Sequence, residues 1–229
     1  MKVIKNEKLI KRNAKVGQWT SLAGIVVLAG GMYISLRYQT LFNYALGALL
    51  IGFILTQVSL YLGNRFGRSP RPDESLDAGL KGLSGDFTIY HYTTPASHLL
   101  VGPAGIWVLL PYRQAGRVTY RNNRWRMGGG GFMQGYMRIF GQEGIGRPDA
   151  EARSEIKTVQ EHLAKRMEGI DVPPVQAAIV FTNDQVEIEP EEAPMPALKP
   201  RQLKEFLRQK GKERALTSYE LTRVNAALQ

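Results

Sequence analysis

The apolar stretch that decides the architecture of this chain is Leu22-Ala23-Gly24-Ile25-Val26-Val27-Leu28-Ala29. It lies within residues 16–36, which are 21 residues without a charge, and residues 38–64 form a second uncharged segment of 27 residues. A helix needs about 20 apolar residues to cross the hydrocarbon core of a bilayer. Helices of soluble domains usually carry a polar stripe, which these two segments lack. The sequence therefore predicts a transmembrane helical hairpin over residues 16–64, with spans at about 18–36 and 41–63.

Basic residues flank this hairpin on both sides and predict its orientation. Six precede the first span and three follow the second, whereas the connecting turn contains only Arg37. By the positive-inside rule, both flanks lie in the cytoplasm. A cleaved signal peptide is disfavoured, because a second span follows at once and no convincing cleavage site is present. We expect a protein of the inner cell membrane with two spans, both termini in the cytoplasm and the lipid bilayer as a partner. The flanking basic residues are Lys2, Lys5, Lys8, Lys11, Arg12, Lys15, Arg65, Arg68 and Arg71.

The overall composition would by itself describe a basic soluble protein. The 229 residues carry a net charge of +10, with a mean hydropathy of −0.22. Residues 1–37 hold seven basic residues and one acidic residue, so more than half of the surplus belongs to the membrane segment. The absence of cysteine excludes a disulfide scaffold, a thiolate metal site and cysteine catalysis.

The rest of the chain is predicted to form one cytoplasmic domain. Residues 1–15 are a basic tail, residues 65–74 are a linker that contains Pro70 and Pro72, and residues 75–229 have the size of an ordinary domain. The predicted elements run in the order helix, several strands, long helix, strand and two helices. This order is typical of an α/β or α+β domain around one mixed sheet.

Local patterns predict the individual elements of this domain. A first helix begins at Glu74 or Ser75, and Asn122-Asn123 forms a two-residue hairpin turn. A long helix covers residues 149–167, and a further helix is opened by Pro200. The last helix begins with a capping box of Thr217 and Glu220. Strands are predicted at residues 87–92, 98–101, 106–110, 117–121, 124–127 and 175–181.

One motif resembles a known family. It reads His98-Leu99-Leu100-Val101-Gly102-Pro103-Ala104-Gly105-Ile106-Trp107-Val108 and is followed by Gly116 and Trp125. It is similar to the nuclease-related domain (NERD) family, whose motif is Asp-His-(apolar)3-Gly-Pro-x-Gly-(apolar)3-Ile-Glu-x-Lys, then Gly and Trp. The resemblance covers about residues 75–210. It implies a restriction-endonuclease-like fold, in which a central sheet presents two carboxylates and a lysine to a divalent metal and a phosphodiester.

The residues that would perform this chemistry are replaced here. The resemblance puts Ser97 at the position of the aspartate before His98, Leu110 at that of the glutamate and Tyr112 at that of the lysine. Glu151 takes a helix position where the family often has glutamine. Metal-assisted phosphodiester hydrolysis needs anionic oxygen ligands, which serine and leucine do not supply.

The acid content of the strand region also argues against catalysis. No Asp or Glu occurs between Asp86 and Glu143. We therefore expect a protein without catalytic residues, metal ligands or cofactors, in which the domain binds nucleic acid or acts as a protein scaffold at the membrane. The alternative is a divergent, Mg²⁺-dependent nuclease, which would need Glu151 and Glu155 to approach the sheet.

The same acid-free interval is rich in arginine. Alternation places Arg117 and Arg121 on one side of their strand, and Arg124 and Arg126 on one side of theirs. This surface would suit nucleic acid or anionic lipid. It would equally suit a solvated edge hairpin on which arginine discourages pairing with other chains. The arginines of the interval are Arg113, Arg117, Arg121, Arg124, Arg126 and Arg138.

Other features of the domain are assigned structural roles. The four glycines at 128–131 lack the Gly-Lys-Ser/Thr of a phosphate-binding loop. His91, His98 and His162 fall on different elements and do not read as a metal set. An aromatic helix face within residues 132–140 is expected to pack on its own domain. Alternatively it contacts the bilayer or another copy of the chain in a homo-oligomer. That face comprises Phe132, Met133, Tyr136, Met137 and Phe140.

Overall fold

The computed structural model describes residues 1–128, 145–167, 171–189, 193–213 and 215–229. The chain divides into two compact units. One unit is helical and comprises Asn6–Arg71, and the other combines Met1–Lys5 with Pro72–Gln229. Because the second unit takes residues from both sides of the first, the helical unit is an insertion in the sequence of a sheet-containing domain.

The helical unit consists of two long helices joined by a short turn. It contains helix α1 (Glu7–Arg37), a 3₁₀ turn (Gln39–Leu41), helix α2 (Phe42–Leu62) and a π-helical turn (Gly63–Gly67). Asn6 caps α1, since its side-chain oxygen accepts a hydrogen bond of 3.0 Å from the backbone N–H of Leu9. Both helices are long and apolar enough to cross a membrane. The two long apolar helices predicted from the uncharged segments are therefore confirmed.

Small residues form the contact between α1 and α2. On α2, Ala45 and Gly52 are buried, and Ser59, seven residues further on, donates a hydrogen bond of 2.9 Å to the carbonyl oxygen of Gly17. A Cβ atom on Gly52 would lie 2.6 Å from Cγ of Leu28. The two backbones therefore approach closely, as in membrane helix pairs held by van der Waals contact. The buried residues of α1 recur at every seventh position, at Ile10, Gly17, Gly24 and Gly31.

The N-terminal residues belong to the sheet rather than to a tail. Strand β1 (Lys2–Lys5) pairs in parallel with strand β2 (Thr88–His91), and α1 begins at Glu7. The tail expected over residues 1–15 is thus structured over most of its length. The sequence did not indicate this strand, because four residues are too short for a periodic pattern and the pairing partner lies more than 80 residues away.

Besides β1 and β2, the main sheet contains β3 (His98–Gly102), β4 (Gly105–Tyr112), β7 (Val175–Phe181) and β9 (Ala197–Leu198). In the part of the chain that the structure describes, it has six strands in the order β1-β2-β3-β4-β7-β9. Strand β3 is antiparallel to both β2 and β4. Strand β1 is parallel to β2, and β7 is parallel to both β4 and β9. The predicted mixed sheet is confirmed, but it is not the single sheet that was expected, because the strands predicted at residues 117–121 and 124–127 belong to a second sheet.

A smaller sheet, with three strands within the described ranges, has the order β6-β5-β8. It consists of β5 (Gly116–Arg121), β6 (Arg124–Gly128) and β8 (Val186–Glu189). Asn122 and Asn123 join β5 to β6 with φ angles of 53° and 56°, the left-handed conformation of a tight hairpin turn. All six predicted strands are confirmed, with ends that differ by at most two residues.

Helices cover both faces of the main sheet. They are α3 (Pro72–Leu80), α4 (Pro148–Arg166), α5 (Pro200–Glu213) and α6 (Ser218–Ala227). Along β4, Val108 and Leu110 lie in the core cluster that includes residues of α4 and α6, whereas Trp107 and Leu109 lie in the cluster that includes residues of α3 and α5. The capping box of Thr217 is confirmed at the start of α6.

The linker predicted at residues 65–74 is shorter than expected. The π-helical turn continues to Gly67, and α3 starts at Pro72 instead of Glu74 or Ser75. The physical reason is that proline suits the first position of a helix, where no backbone N–H is needed. Pro72 therefore starts a helix, although its presence suggested a linker.

Candidate functional site

The residues singled out by the motif lie where β3 and β4 face α4. Ser97 immediately precedes β3, Leu110 and Tyr112 lie two residues apart on β4, and Glu151 lies in the first turns of α4. Leu110 is 2% exposed and packs in the same cluster as Ala152 of α4. The position that the resemblance assigns to a catalytic carboxylate is therefore part of the hydrophobic core.

Tyr112 and Ser97 connect the sheet to α4. The hydroxyl of Tyr112 donates a hydrogen bond of 2.6 Å to Oε2 of Glu151. One helical turn further on, the hydroxyl of Ser97 donates a longer bond of 3.4 Å to Oε1 of Glu155. Burial and the adjacent carboxylate of Glu151 raise the pKa of Tyr112 well above its usual value, because both disfavour a phenolate. Tyr112 therefore stays a neutral hydrogen-bond donor at any physiological pH.

This arrangement brings two carboxylates to the sheet but offers a metal few ligands. Among the described residues, no group of three or more His, Cys, Asp or Glu side chains could hold a metal ion. Glu151 already accepts a bond from Tyr112, and Leu110 contributes no donor atom. Chemically, the site acts as a polar clamp that fixes α4 against β4.

A second polar cluster was missed by the sequence analysis. His91 and His98 occupy directly opposite positions on β2 and β3, with their Nδ1 atoms 2.7 Å apart. Both side chains are almost completely buried, and Nε2 of His91 lies 3.0 Å from Oδ1 of Asp77 on α3. The two histidines lie on different elements, as predicted, but the expectation that they have no carboxylate neighbour was wrong, because Asp77 contacts His91. The predicted strands at 87–92 and 98–101 could have revealed their pairing, but nothing in the sequence indicated Asp77.

Hydrogen bonds connect the members of this cluster. As an anion, Asp77 accepts a hydrogen bond from Nε2–H of His91. In the contact between the two facing Nδ1 atoms, one nitrogen donates and the other accepts. Burial opposes ionisation of Asp77, but the hydrogen bonds from His91 and Lys5 outweigh it and lower the pKa of Asp77.

Lys5 joins this cluster to the N-terminal strand. Its ammonium group lies 3.1 Å from Oδ2 of Asp73 and 2.5 Å from Oδ2 of Asp77. The side chain of Asp73 is completely buried. Partial burial disfavours the charged lysine, yet the two carboxylates outweigh this and raise the pKa of Lys5. Strand β1 is thus fastened to α3 by a largely buried ionic contact.

The arginines of the small sheet share one face. Arg121 is directly opposite Arg124, and Thr119 is opposite Arg126, so these side chains project to the same side. Arg117, two residues before Thr119, projects there as well. All four arginines are exposed, while Val118, Tyr120 and Trp125 are buried on the other side. We call Arg117, Arg121, Arg124 and Arg126 the arginine face.

Strand β8 adds acidic residues to the arginine face. Glu187 pairs in register with Arg117, and Glu189 with Thr119. The guanidinium of Arg117 forms an ion pair with Glu189, which lowers the pKa of that carboxyl. The surplus of positive charge on the arginine face is therefore smaller than the acid-free interval suggested, because a strand distant in the sequence brings two carboxylates. Arg121, Arg124 and Arg126 lie toward the turn end of the hairpin.

The remaining predicted features lie on other parts of the chain. Arg113 is exposed between β4 and β5, and His162 lies on α4. Arg138, the glycines at 129–131 and the aromatic face within residues 132–140 fall outside the described residues.

Comparisons with known proteins add no relative. No protein-family model, no curated protein and no solved structure matches this chain.

Proposed function

We propose that this chain is a membrane-anchored protein with a non-catalytic domain of the nuclease-related, restriction-endonuclease-like type. The domain lies at the cytoplasmic face of the inner membrane and binds nucleic acid through the arginine face. The observation that carries the non-catalytic part of the proposal is the hydrogen bond from Tyr112 to Glu151. At the position that the resemblance assigns to a catalytic lysine, the chain has a neutral, structural donor.

The pairing of β1 with β2 supports the membrane topology. Residues before α1 and residues after α2 share one sheet, so both ends of the hairpin lie on the same side of any membrane that it crosses. This is the arrangement expected for two spans, since an even number of spans returns the chain to the side on which it started. The basic flanks indicate that this side is the cytoplasm.

The geometry around β4 supports the absence of catalysis. Hydrolysis at a metal centre requires anionic ligands placed around one ion and a polarised water. Here the aligned position is the buried Leu110, and Glu151 is engaged by Tyr112.

The arginine face provides the chemistry for nucleic-acid binding. Guanidinium groups on a two-stranded ribbon can contact successive phosphates. Such binding displaces counterions from the nucleic acid, and it weakens in added salt because the release of these ions then becomes less favourable. We expect the full chain, in nanodiscs of zwitterionic lipid, to bind DNA or RNA with an affinity that falls steeply with salt concentration.

A matched pair of variants tests this surface. The first replaces Arg121, Arg124 and Arg126 by glutamine, and we expect it to bind more weakly and to lower the salt slope by about one per phosphate contact removed. The control removes three exposed cations from α4, at Arg153, Lys157 and Lys165, and should retain binding. Binding of DNA or RNA that tolerates salt and is unaffected by the first variant would contradict the proposed role of the arginine face. This outcome would favour a protein-scaffolding role.

A divergent nuclease is the second candidate function. It is favoured by one observation, that Glu151 contacts Tyr112 on β4 and Glu155 contacts Ser97, just before β3. Incubation of the full chain with DNA and RNA in Mg²⁺ or Mn²⁺ separates the two candidates. Cleavage that is abolished both by a chelator and by Glu151→Gln would establish the nuclease and overturn the non-catalytic proposal.

A further inference from the structure

The cytoplasmic end of α1 carries a stripe of cations on one side. Lys8, Lys11, Arg12 and Lys15 are spaced by three, one and three residues, and all four are exposed. Positions with this spacing share one helix face. The buried residues of α1 follow a separate line through Ile10, on the opposite side of the helix at 100° per residue. The basic stripe therefore points away from α2.

The same helix face becomes apolar immediately beyond the stripe. Trp19, Leu22 and Val26 continue the spacing from Lys15, and their exposed fractions are 63%, 54% and 63%. Tryptophan favours the boundary between headgroups and hydrocarbon. One continuous exposed surface thus changes from basic to apolar between Lys15 and Trp19.

The positions along the helix match the layers of a bilayer. With a rise of about 1.5 Å per residue, Lys15 and Arg12 lie roughly 2 and 6 Å beyond the first uncharged residue, Val16. Each headgroup layer is about 5–8 Å thick. Within residues 6–15 the acidic residue Glu7 pairs with Lys11, which leaves a surplus of positive charge at the depth of the lipid phosphates.

We infer that the stripe of Lys8, Lys11, Arg12 and Lys15 is a binding surface for the headgroups of anionic phospholipids. The inference rests on the membrane anchoring proposed above and adds a lipid preference to it. A cation close to an anionic membrane surface contributes about 1 kcal/mol, which corresponds to roughly a fivefold preference for each residue.

Quenching of Trp19 by brominated lipids measures this preference directly. The full chain is reconstituted in mixtures of zwitterionic and anionic phospholipids, in which one or the other carries bromine on its acyl chains. Trp107 and Trp125 are buried within their own domain and supply a constant background. We expect brominated anionic lipid to quench Trp19 at lower mole fraction, with a relative binding constant above about five at low salt that approaches one at high salt.

Variants assign the preference to the stripe. Replacing Lys8, Arg12 and Lys15 by glutamine should bring the relative constant close to one, whereas exchanging each for the other basic residue should preserve it. The glutamine variant of Arg121, Arg124 and Arg126 removes the same charge from the arginine face and should also preserve it. Equal quenching of the unaltered chain by both lipids overturns the inference but leaves the anchoring intact. No quenching by either lipid overturns the anchoring itself.

Discussion

Replacing Lys5 with methionine keeps most of the side-chain length but removes its ammonium group from two carboxylates. Nζ lies 3.1 Å from Asp73 and 2.5 Å from Asp77, and the exposed fractions of these two side chains are 0% and 24%. Asp73 then loses the contact with Lys5 in a place that water does not reach. We expect the variant to destabilise the sheet domain and to detach β1.

The magnitude follows from the two contacts. A charged hydrogen bond whose partner stays buried contributes about 1.5–3 kcal/mol. The loss at Asp77 lies at the lower end, because water reaches this side chain and His91 still donates to it. The loss at Asp73 is reduced by its place in the first turn of α3, where the helix dipole stabilises an anion. Together we expect a decrease of about 3 kcal/mol in the free energy of unfolding.

Lys2→Met is the matched control, since Lys2 is an exposed lysine on the same strand. Its effect should stay within about 0.5 kcal/mol. Unfolding of the full chain in detergent micelles can be followed by the fluorescence of Trp107, which is 1% exposed in the domain core. A double-mutant cycle with Asp77→Asn should give a coupling energy of about 1–2 kcal/mol. Equal stabilities of the two lysine variants would refute the reasoning.

Three further predictions concern other contacts. Tyr112→Phe should lower the free energy of unfolding by about 1 kcal/mol, because Glu151 loses a donor but stays accessible to water; a Tyr112→Phe protein as stable as the unaltered chain would contradict the clamp. Gly52→Ala should weaken the helical hairpin by about 1–3 kcal/mol in SDS titrations, whereas Gly47→Ala, which meets nothing within 4 Å, should not. The difference in the free energy of unfolding between the unaltered chain and Lys5→Met should be at its full value between pH 3.8 and 10.5, the usual pKa values of Asp77 and of lysine. It should disappear as the pH falls through the lowered pKa of the aspartate or rises through the raised pKa of the lysine, as unfolding curves across this range can show.

Strong local patterns predicted most elements of the fold. The spans, the strands from 87 to 127 and the capping box at Thr217 each depend on residues close in sequence, so their signals are complete within a short window. Strand β1 and the start of α3 were missed for the same reason. A four-residue strand has no repeating pattern, and Pro72 can end a linker or begin a helix.

The candidate site was predictable as a set of positions but not as a set of contacts. The motif located Ser97, Leu110 and Tyr112, and the helix pattern located Glu151. Their hydrogen bonds depend on how α4 packs across β4, which no local pattern specifies. The cluster of His91, His98 and Asp77 shows the same limit, because its members come from two strands and a helix.

The amino-acid sequence by itself determined that two apolar helices interrupt a basic chain and that no acidic residue occurs between Asp86 and Glu143 of the following domain. Hydropathy and residue identity are local properties, which do not depend on contacts with distant parts of the chain. Only the tertiary structure decided that β1 completes the sheet across the inserted hairpin, that Glu187 and Glu189 reduce the charge of the arginine face, and that Tyr112 holds Glu151. Each of these depends on side chains far apart in the sequence, and packing brings them within reach of hydrogen bonds and Coulomb forces.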